Sequence, residues 1–209
     1  MPLPQKWANK TVIVAAGGHS LLKQVESVTT LRTSQAHVLL TVNSTFRTFM
    51  DADALYGGDF LWWKAMHLPT AERPTVREFK GEKWTQDHRA KENWKLNWIK
   101  CANRPGLGRE VLHSNGNSGF QAINLAFLLG SRHIVLVGFD MKLGPKGEKH
   151  HHKDHPEPCV QGQTFGEWMM KGAVLAKDLE KAGCDVANCS AVSAMSCFRR
   201  GELEKELAV

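Results

Sequence analysis

Cysteine pairing is the first thing this chain lacks. Its five cysteines, Cys101, Cys159, Cys184, Cys189 and Cys197, are odd in number and contain no C-x-x-C pair. That argues against a disulfide framework and fits reduced thiols in a cytosolic protein. Long apolar runs are also missing. No stretch approaches the roughly 20 apolar residues of a membrane span. The start, Met1-Pro2-Leu3-Pro4-Gln5-Lys6, has no apolar signal core. The expectation is a cytoplasmic chain with no membrane span. There is no internal repeat and no low-complexity segment.

What is present fits one ordinary domain. The chain has 209 residues and 42% hydrophobic residues, enough for a normal core. Its formal charge is +6 at pH 7. A basic balance fits an anionic ligand such as a nucleotide, and fits nucleic acid or a plain soluble surface equally well.

The chain is organised around Ser114–Met141. A polar turn, Ser114-Asn115-Gly116-Asn117-Ser118-Gly119, opens it. Phe120, Ile123, Leu125, Ala126, Leu128 and Leu129 then follow a helical repeat, and Gly130 stops the helix. Ile134-Val135-Leu136-Val137 is apolar without alternation, as in a parallel strand buried on both faces. Gly138-Phe139-Asp140 ends that strand. In open α/β sheets ligands bind beyond the carboxyl ends of strands, where Asp140 stands. The helix start Asn117-Ser118-Gly119 offers N–H groups to an anion.

Earlier in the chain, Thr11–Ala16 reads as a first strand. Gly17-Gly18 makes a tight turn, and Ser20 can cap the next helix, Leu21–Leu31. The turn is neither a G-x-G-x-x-G nor a P-loop, yet its backbone can cradle phosphate. Val38–Val42 is the second strand, with Asn43 at its carboxyl end. An Asn side chain both donates and accepts, so it suits a base edge, a ribose hydroxyl or a local turn. Ala52–Tyr56 reads as the third strand. Asp59 follows it, to hold a ribose hydroxyl or cap the helix Phe60–Met66. Trp62-Trp63 on that helix are expected to pack against the sheet.

An irregular insertion runs over about 67–113. Thr75–Phe79 reads as an edge strand, and Trp94 and Trp98 as one face of a helix. Trp84, Trp94 and Trp98 alternate with Lys83, Arg89, Lys91, Lys95 and Lys100, a pattern that also occurs in single-strand nucleic-acid binders. A polar loop follows over 141–163, long enough to be a functional lid. It carries His150, His151, His152, Asp154, His155 and Cys159. Metal ligation, a catalytic histidine and a solvated loop all remain open there, although no H-x-x-x-H pair supports a metal. Phe165–Ala182 reads as the last long helix, Cys184–Asn188 as a strand, and Ala194–Phe198 and Gly201–Leu207 as short helices.

Four blocks in this order carry a resemblance: Ala15–Leu21, Val42-Asn43, the Ser118-Gly119 helix with its strand ending Gly138-Phe139-Asp140, and Asn188-Cys189-Ser190 with Ser193-Ala194. The chain resembles a superfamily of small Rossmann-like proteins. One branch holds the bacterial sialyltransferases of glycosyltransferase family 42. Another is the 6-hydroxymethylpterin diphosphokinase-like family, which has uncharacterised bacteriophage members; the resemblance implies a chain of that phage or prophage type. It departs at His19, where proline is usual, and at Ala16, where glycine or asparagine is common.

The resemblance implies a three-layer α/β domain with a mostly parallel sheet of about five or six strands. It implies a nucleotide site at Gly17, Gly18, Ser20, Asn43, Asp59, Asn117, Ser118, Gly119, Ser190 and Ser193. It implies a late-loop histidine as general base: His155 first, then His152, then His151, acting with Asp140. The expected activity is transfer of a glycosyl group from a nucleotide-linked donor, with no resident metal. Two alternatives stand beside it. One is an ATP-dependent diphosphokinase with Mg²⁺ on Asp59 and Asp140; the other is a non-catalytic nucleotide- or nucleic-acid-binding protein. Relatives of the fold are often assembled, so a homo-oligomer is also expected.

Overall fold

A computed structural model describes residues 3–33, 35–69, 73–152 and 164–208. In chain order, β1 (Thr11–Ala15) leads through a 3-10 turn, His19–Lys23, into α1 (Val25–Leu31). β2 (His37–Val42) runs into a second 3-10 turn, Asn43–Arg47, and β3 (Ala54–Tyr56) is followed by α2 (Phe60–His67). β4 (Glu82–Thr85), α3 (His88–Trp94) and β5 (Asn97–Trp98) come next. β6 (Cys101–Ala102) and β7 (Leu112–His113) pair as a small separate sheet. The rest is α4 (Ser118–Leu128), β8 (His133–Val137), α5 (Phe165–Lys181), β9 (Asp185–Asn188), β10 (Arg199–Arg200) and α6 (Leu203–Glu206).

The main sheet has eight strands in the order β10-β9-β8-β1-β2-β3-β4-β5, and every pairing is parallel. The outermost strands, β5 and β10, have 2 residues each; the expected five or six strands are the body between them. From β1 the chain steps outward to β5, then returns to lay β8 on the other side of β1. The strand order therefore reverses between β1 and β8, the position where open α/β sheets leave a crevice.

Apolar runs make the central strands because they are covered on both faces. Successive side chains point to opposite sides. Val12, Val14, Ile134 and Leu136 face one core with Phe120, Ile123, Leu175 and Leu179. Ile13, Ala15, Val135 and Val137 face the other with Val28, Trp62, Trp63, Met66 and Leu203. The result is a three-layer α/β Rossmann-like fold. α4 is buried along all 11 residues, which explains its apolar residues all round. Trp62 and Trp63 are 2% and 0% exposed, as expected for sheet-packing residues.

The irregular insertion is tied down by buried amides. Asn124 on α4 accepts from the N–H groups of Gly108 and His113 at 2.9 and 3.0 Å and donates to the Gly108 carbonyl at 2.8 Å. Asn115 makes a similar clamp on Gly106, at 2.8 and 3.1 Å. Backbone without a strand or helix partner needs such bonds when it is buried.

Several expected elements differ. Thr75–Phe79 is a turn, because the Glu78 carboxylate accepts from the Thr75 N–H and hydroxyl at 2.8 and 3.2 Å. Trp94 and Trp98 do not share a helix: Lys95 takes a left-handed φ of 53° and ends α3, which puts Trp98 in β5. Ala194–Phe198 is not helical. The Ser193 hydroxyl accepts from Met195 N–H at 3.1 Å and Ala194 N–H donates to Asp140 O at 2.8 Å, which holds this backbone open. The expected helix Leu21–Leu31 is split into the 3-10 turn and α1.

The carboxyl ends of β1 and β8 touch. Gly18 N–H donates to Gly138 O at 2.8 Å. A Cβ on Gly18 would lie 2.4 Å from that oxygen and 2.6 Å from the Asp140 carboxyl. At Gly17 the nearest atoms are ring nitrogens of His150 and His152, at 3.2 and 3.3 Å. Gly18→Ala should therefore cost about 1–3 kcal/mol through overpacking, and Gly17→Ala distinctly less, since only histidine rings must give way. Urea unfolding of both variants checks this, and equal costs would contradict the contact.

At the opposite, amino-terminal edge of the sheet, Arg199 binds both Asp185 and Glu206, and His133 Nε2 lies 2.9 Å from Glu206. The Arg199 guanidinium lowers both carboxyls below their ordinary values, with His133 adding to it. A lowered carboxyl stabilises the fold above its unfolded pKa, and that contribution is lost as pH falls through the lowered value. The stability gap between wild type and Arg199→Gln should be present at pH 7 and close on acidification below about 4. Urea midpoints across pH measure it, and a gap that persists at low pH contradicts the ion-pair account.

Candidate functional site

Parallel strands deliver all their carboxyl ends to one rim. There, a cleft of about 690 Å³ opens between β1, β2 and β8. Ala16, Gly17 and Gly18 line it from the β1 turn, Val42 and Asn43 from the end of β2, and Asn117, Ser118 and Gly119 from the start of α4. Gly138, Phe139, Asp140, Met141, Lys142 and Leu143 line it from the β8 exit. Lys149, His150 and His152 come from the following segment, and Thr164, Phe165 and Trp168 from the start of α5. The structure thus brings together Gly17, Gly18, Asn43, Asn117, Ser118, Gly119, Asp140 and His152. Ser20, Asp59, Ser190 and Ser193 are not among the lining residues.

Asp140 is 6% exposed, and both its oxygens are engaged. One accepts from Ser20 N–H at 2.7 Å and the other from the Ser20 hydroxyl at 2.6 Å. Ser20 stands inside the 3-10 turn instead of capping a helix, and its N–H and hydroxyl are engaged by Asp140. Ser190 and Ser193 are engaged by backbone in a similar way. The Ser190 hydroxyl accepts from Phe139 N–H at 2.8 Å, and the Ser193 hydroxyl donates to Phe139 O at 2.6 Å. They brace the strand end instead of reaching a ligand. The start of α4 is less open to an anion than expected. The Asn117 side chain caps it, accepting from Gly119 N–H at 2.8 Å and Phe120 N–H at 3.4 Å.

Asp59 precedes α2 without capping it by side-chain hydrogen bonds. Although its surface reaches solvent, the protein packed around the carboxyl raises its pKa, with the Asp87 charge adding to this. The two carboxylates proposed for Mg²⁺ are not brought to one place in the cleft: Asp140 lines it and is bound by Ser20, whereas Asp59 stands outside the lining.

Segment 141–152 folds back across the β1 turn. Met141 turns it with a φ of 48°. Gly144 packs against the His19 ring. His151 N–H donates to Gly17 O at 2.9 Å, and His151 Nε2 lies 3.0 Å from the Thr48 hydroxyl. Burial pushes the His151 pKa down to about 4, helped by the nearby His152, His150 and His19, so this ring is neutral at pH 7. It is pinned inward, and its neighbours face the cleft with rings stacked 5.0 Å apart at 6°. His155, the first candidate for a base, lies outside the described residues with Asp154, Glu157 and Cys159.

Cation sites and thiols are easily sorted. Among the described residues, His133, Asp185 and Glu206 have metal-ligand atoms within 4.8 Å of one another. Arg199 already binds both carboxylates there, so the donor set reads as an ion-pair network. Cys101, Cys184, Cys189 and Cys197 are free thiols. Burial raises their pKa values, to about 11 for Cys101 and about 12 for Cys184 and Cys189, which keeps them protonated. The basic–aromatic pattern does not form a stacking row. Trp84 is buried, Trp94 stacks on His67 at 4.4 Å and on Phe60 at 5.5 Å, and Trp98 is 37% exposed.

Sequence reasoning missed Trp168, Phe165, Lys142 and Lys149 as lining residues. Trp168 packs partly against the core, and its indole N–H donates to Gly116 O at 3.0 Å beside the α4 start. The signal was a Thr-x-x-Glu capping box at Thr164 and Glu167, which starts α5 and aims its first turn at the cleft.

No helix of the described residues is long and apolar enough to cross a membrane. No protein-family model matches the chain, and no curated protein matches it. Among solved structures, the MAf glycosyltransferase from Magnetospirillum magneticum AMB-1 has a similar fold, with a TM-score of 0.62 and 14% sequence identity. The match covers 94% of this chain and 34% of that one, so this chain spans about a third of the neighbour's length. At such identity the likeness concerns the fold: an α/β Rossmann-like domain similar to part of a glycosyltransferase.

Proposed function

We propose that this chain is a nucleotide-dependent transferase domain that moves a glycosyl group from a nucleotide-linked donor to an acceptor hydroxyl. The observation that carries the reading is the single cleft at the β1–β8 reversal, where four separate turns meet. The similar fold of a glycosyltransferase supports the same class. Gly17, Asn43, Ser118 and Gly119 would bind the nucleotide. Lys142 and Lys149, which among the described residues line the cleft with Asp140 as its one acid, would oppose phosphate charge.

In the reaction the acceptor oxygen forms a bond to the anomeric carbon. The bond from that carbon to the phosphate oxygen breaks, and the nucleotide leaves with the electron pair. A neutral histidine takes the acceptor proton. Among the described residues we assign this role to His152, which lines the cleft with His150 beside it; His155 is the sequence candidate. A diphosphokinase using Asp59 and Asp140 has less behind it, given where those carboxylates lie.

Thermal-shift and calorimetric binding of CMP-, UDP- and GDP-linked sugars, and of ATP with and without Mg²⁺, tests the reading. At least one nucleotide-linked sugar should bind and support transfer. His152→Ala should lower transfer by about 10²–10⁴-fold, the usual contribution of a general base, with donor affinity retained. Binding without transfer to any acceptor would make this a binding protein. Binding of none of these compounds would remove the nucleotide reading altogether.

A further inference from the structure

One end of the cleft is aromatic and has no part in the contacts assigned to the nucleotide. α4 packs on β1 and β2, and α5 packs on β9. The strand order β9-β8-β1-β2 therefore sets Asn43, at the end of β2, and the first turn of α5 toward opposite ends of the opening, with the start of α4 between them. Phe165 and Trp168 line the cleft from that first turn, and Leu143, 50% exposed, lines it too.

This end is held in place from three sides. The capping box of Thr164 and Glu167 fixes where α5 begins. Gly172, one turn on from Trp168 and on the same helix face, lets α5 close onto α4: a Cβ there would lie 2.8 Å from Phe120 Cζ. The Trp168 N–H donates to Gly116 O at 3.0 Å, which ties the indole to the turn just before Ser118. That N–H is the one polar group of an indole, so Trp168 meets the cleft with ring carbon. Phe165 packs against it, ring centroids 5.7 Å apart at 73°. Covering such carbon surface with an apolar ligand face removes it from water and favours binding.

We propose that Trp168, with Phe165 packed against it, is the platform on which the glycosyl ring of the donor lies. A nucleotide-linked sugar is built in a fixed order: base, ribose, phosphate, glycosyl group. With the nucleoside at Gly17 and Asn43 and the phosphate at Ser118 and Gly119, the group that follows the phosphate reaches the α5 end of the cleft. A pyranose suits that end, because C–H groups make one side of the ring apolar while its hydroxyls point outward around the edge. The inference rests on the nucleotide reading of the cleft and names the residues that hold the sugar.

The test is calorimetric binding by the full chain and its Trp168→Ala and Trp168→Phe variants. The probes are the best-bound of the CMP-, UDP- and GDP-linked sugars and the same nucleotide without its sugar. Trp168→Ala should weaken the nucleotide-linked sugar about tenfold, the scale of one lost aromatic contact. The free nucleotide should stay within about twofold of wild type, since it does not reach the platform. Trp168→Phe, which keeps a ring, should recover most of the loss. Phe165→Ala replaces Trp168→Ala if that variant does not fold, with the same expected contrast between the two probes. Equal weakening of both probes overturns the platform and leaves Trp168 as a base-stacking or structural residue. Unchanged affinity for both also overturns it, while the nucleotide reading stands. Wild type binding neither kind of probe overturns the nucleotide reading and the platform with it.

Discussion

The carboxylate of Asp140 closes the one gap that a reversing strand order must leave. It accepts the N–H and the hydroxyl of Ser20 at 2.7 and 2.6 Å, and so ties the exit of β8 to the turn after β1. The pair is buried, where a charge-assisted hydrogen bond is strong and an unpaired carboxylate would be costly. Gly18 allows the approach, with its N–H on Gly138 O at 2.8 Å and no side chain in the way. Gly138 contributes its left-handed φ of 70°, and a Cβ there would meet Ala16 O at 2.4 Å. Ser190 and Ser193 then hold Phe139 from the far side. The floor of the cleft is this lock.

The lock engages many of the polar groups that a sheet rim of this kind carries. The Asn117 cap has taken N–H groups of α4, and Asp140 has taken those of Ser20. Toward the cleft stand Lys142 and Lys149, the rings of His150 and His152, Phe165 and Trp168, and the side chain of Asn43, beside the backbone of Gly17 and Ser118. His151 links the two, since its pinned position on Gly17 and Thr48 sets where His150 and His152 stand. Its buried, neutral ring suits an anchor.

Much of this fold was legible in the residues. The apolar runs at Val12–Ala15, Val38–Leu40 and Ile134–Val137 state that three strands are covered on both faces, and Gly130 and Gly183, after α4 and α5, mark returns to the sheet. Elements held by side-chain hydrogen bonds were not legible. Thr75–Phe79 has strand-like residues, yet Glu78 curls it into a turn. Trp94 and Trp98 have helical spacing, yet one left-handed lysine between them separates helix from strand. The small clamps of Asn115 and Asn124 have no periodicity to announce them. Among candidate site residues, Gly17, Gly18, Asn43, Ser118, Gly119, Asp140 and His152 were placed together, because strand ends in a parallel sheet face one way. Ser20, Ser190 and Ser193 stand outside the lining, and the sequence did not show it, because a hydroxyl near a strand end looks the same whether it faces a cleft or a neighbouring group.

The sequence alone determined the layers and the edge of the sheet at which chemistry can occur, since apolar periodicity and turn residues are local properties. It also determined the supply of histidines and lysines in the segment after Asp140. Only the tertiary structure decided which polar groups are consumed and which remain. Hydrogen-bond partners more than a hundred residues apart, such as Ser20 and Asp140, become neighbours only when β8 is laid beside β1. That pairing ties Asp140 to Ser20 and brings Asn43, the lysines and the histidines to one cleft.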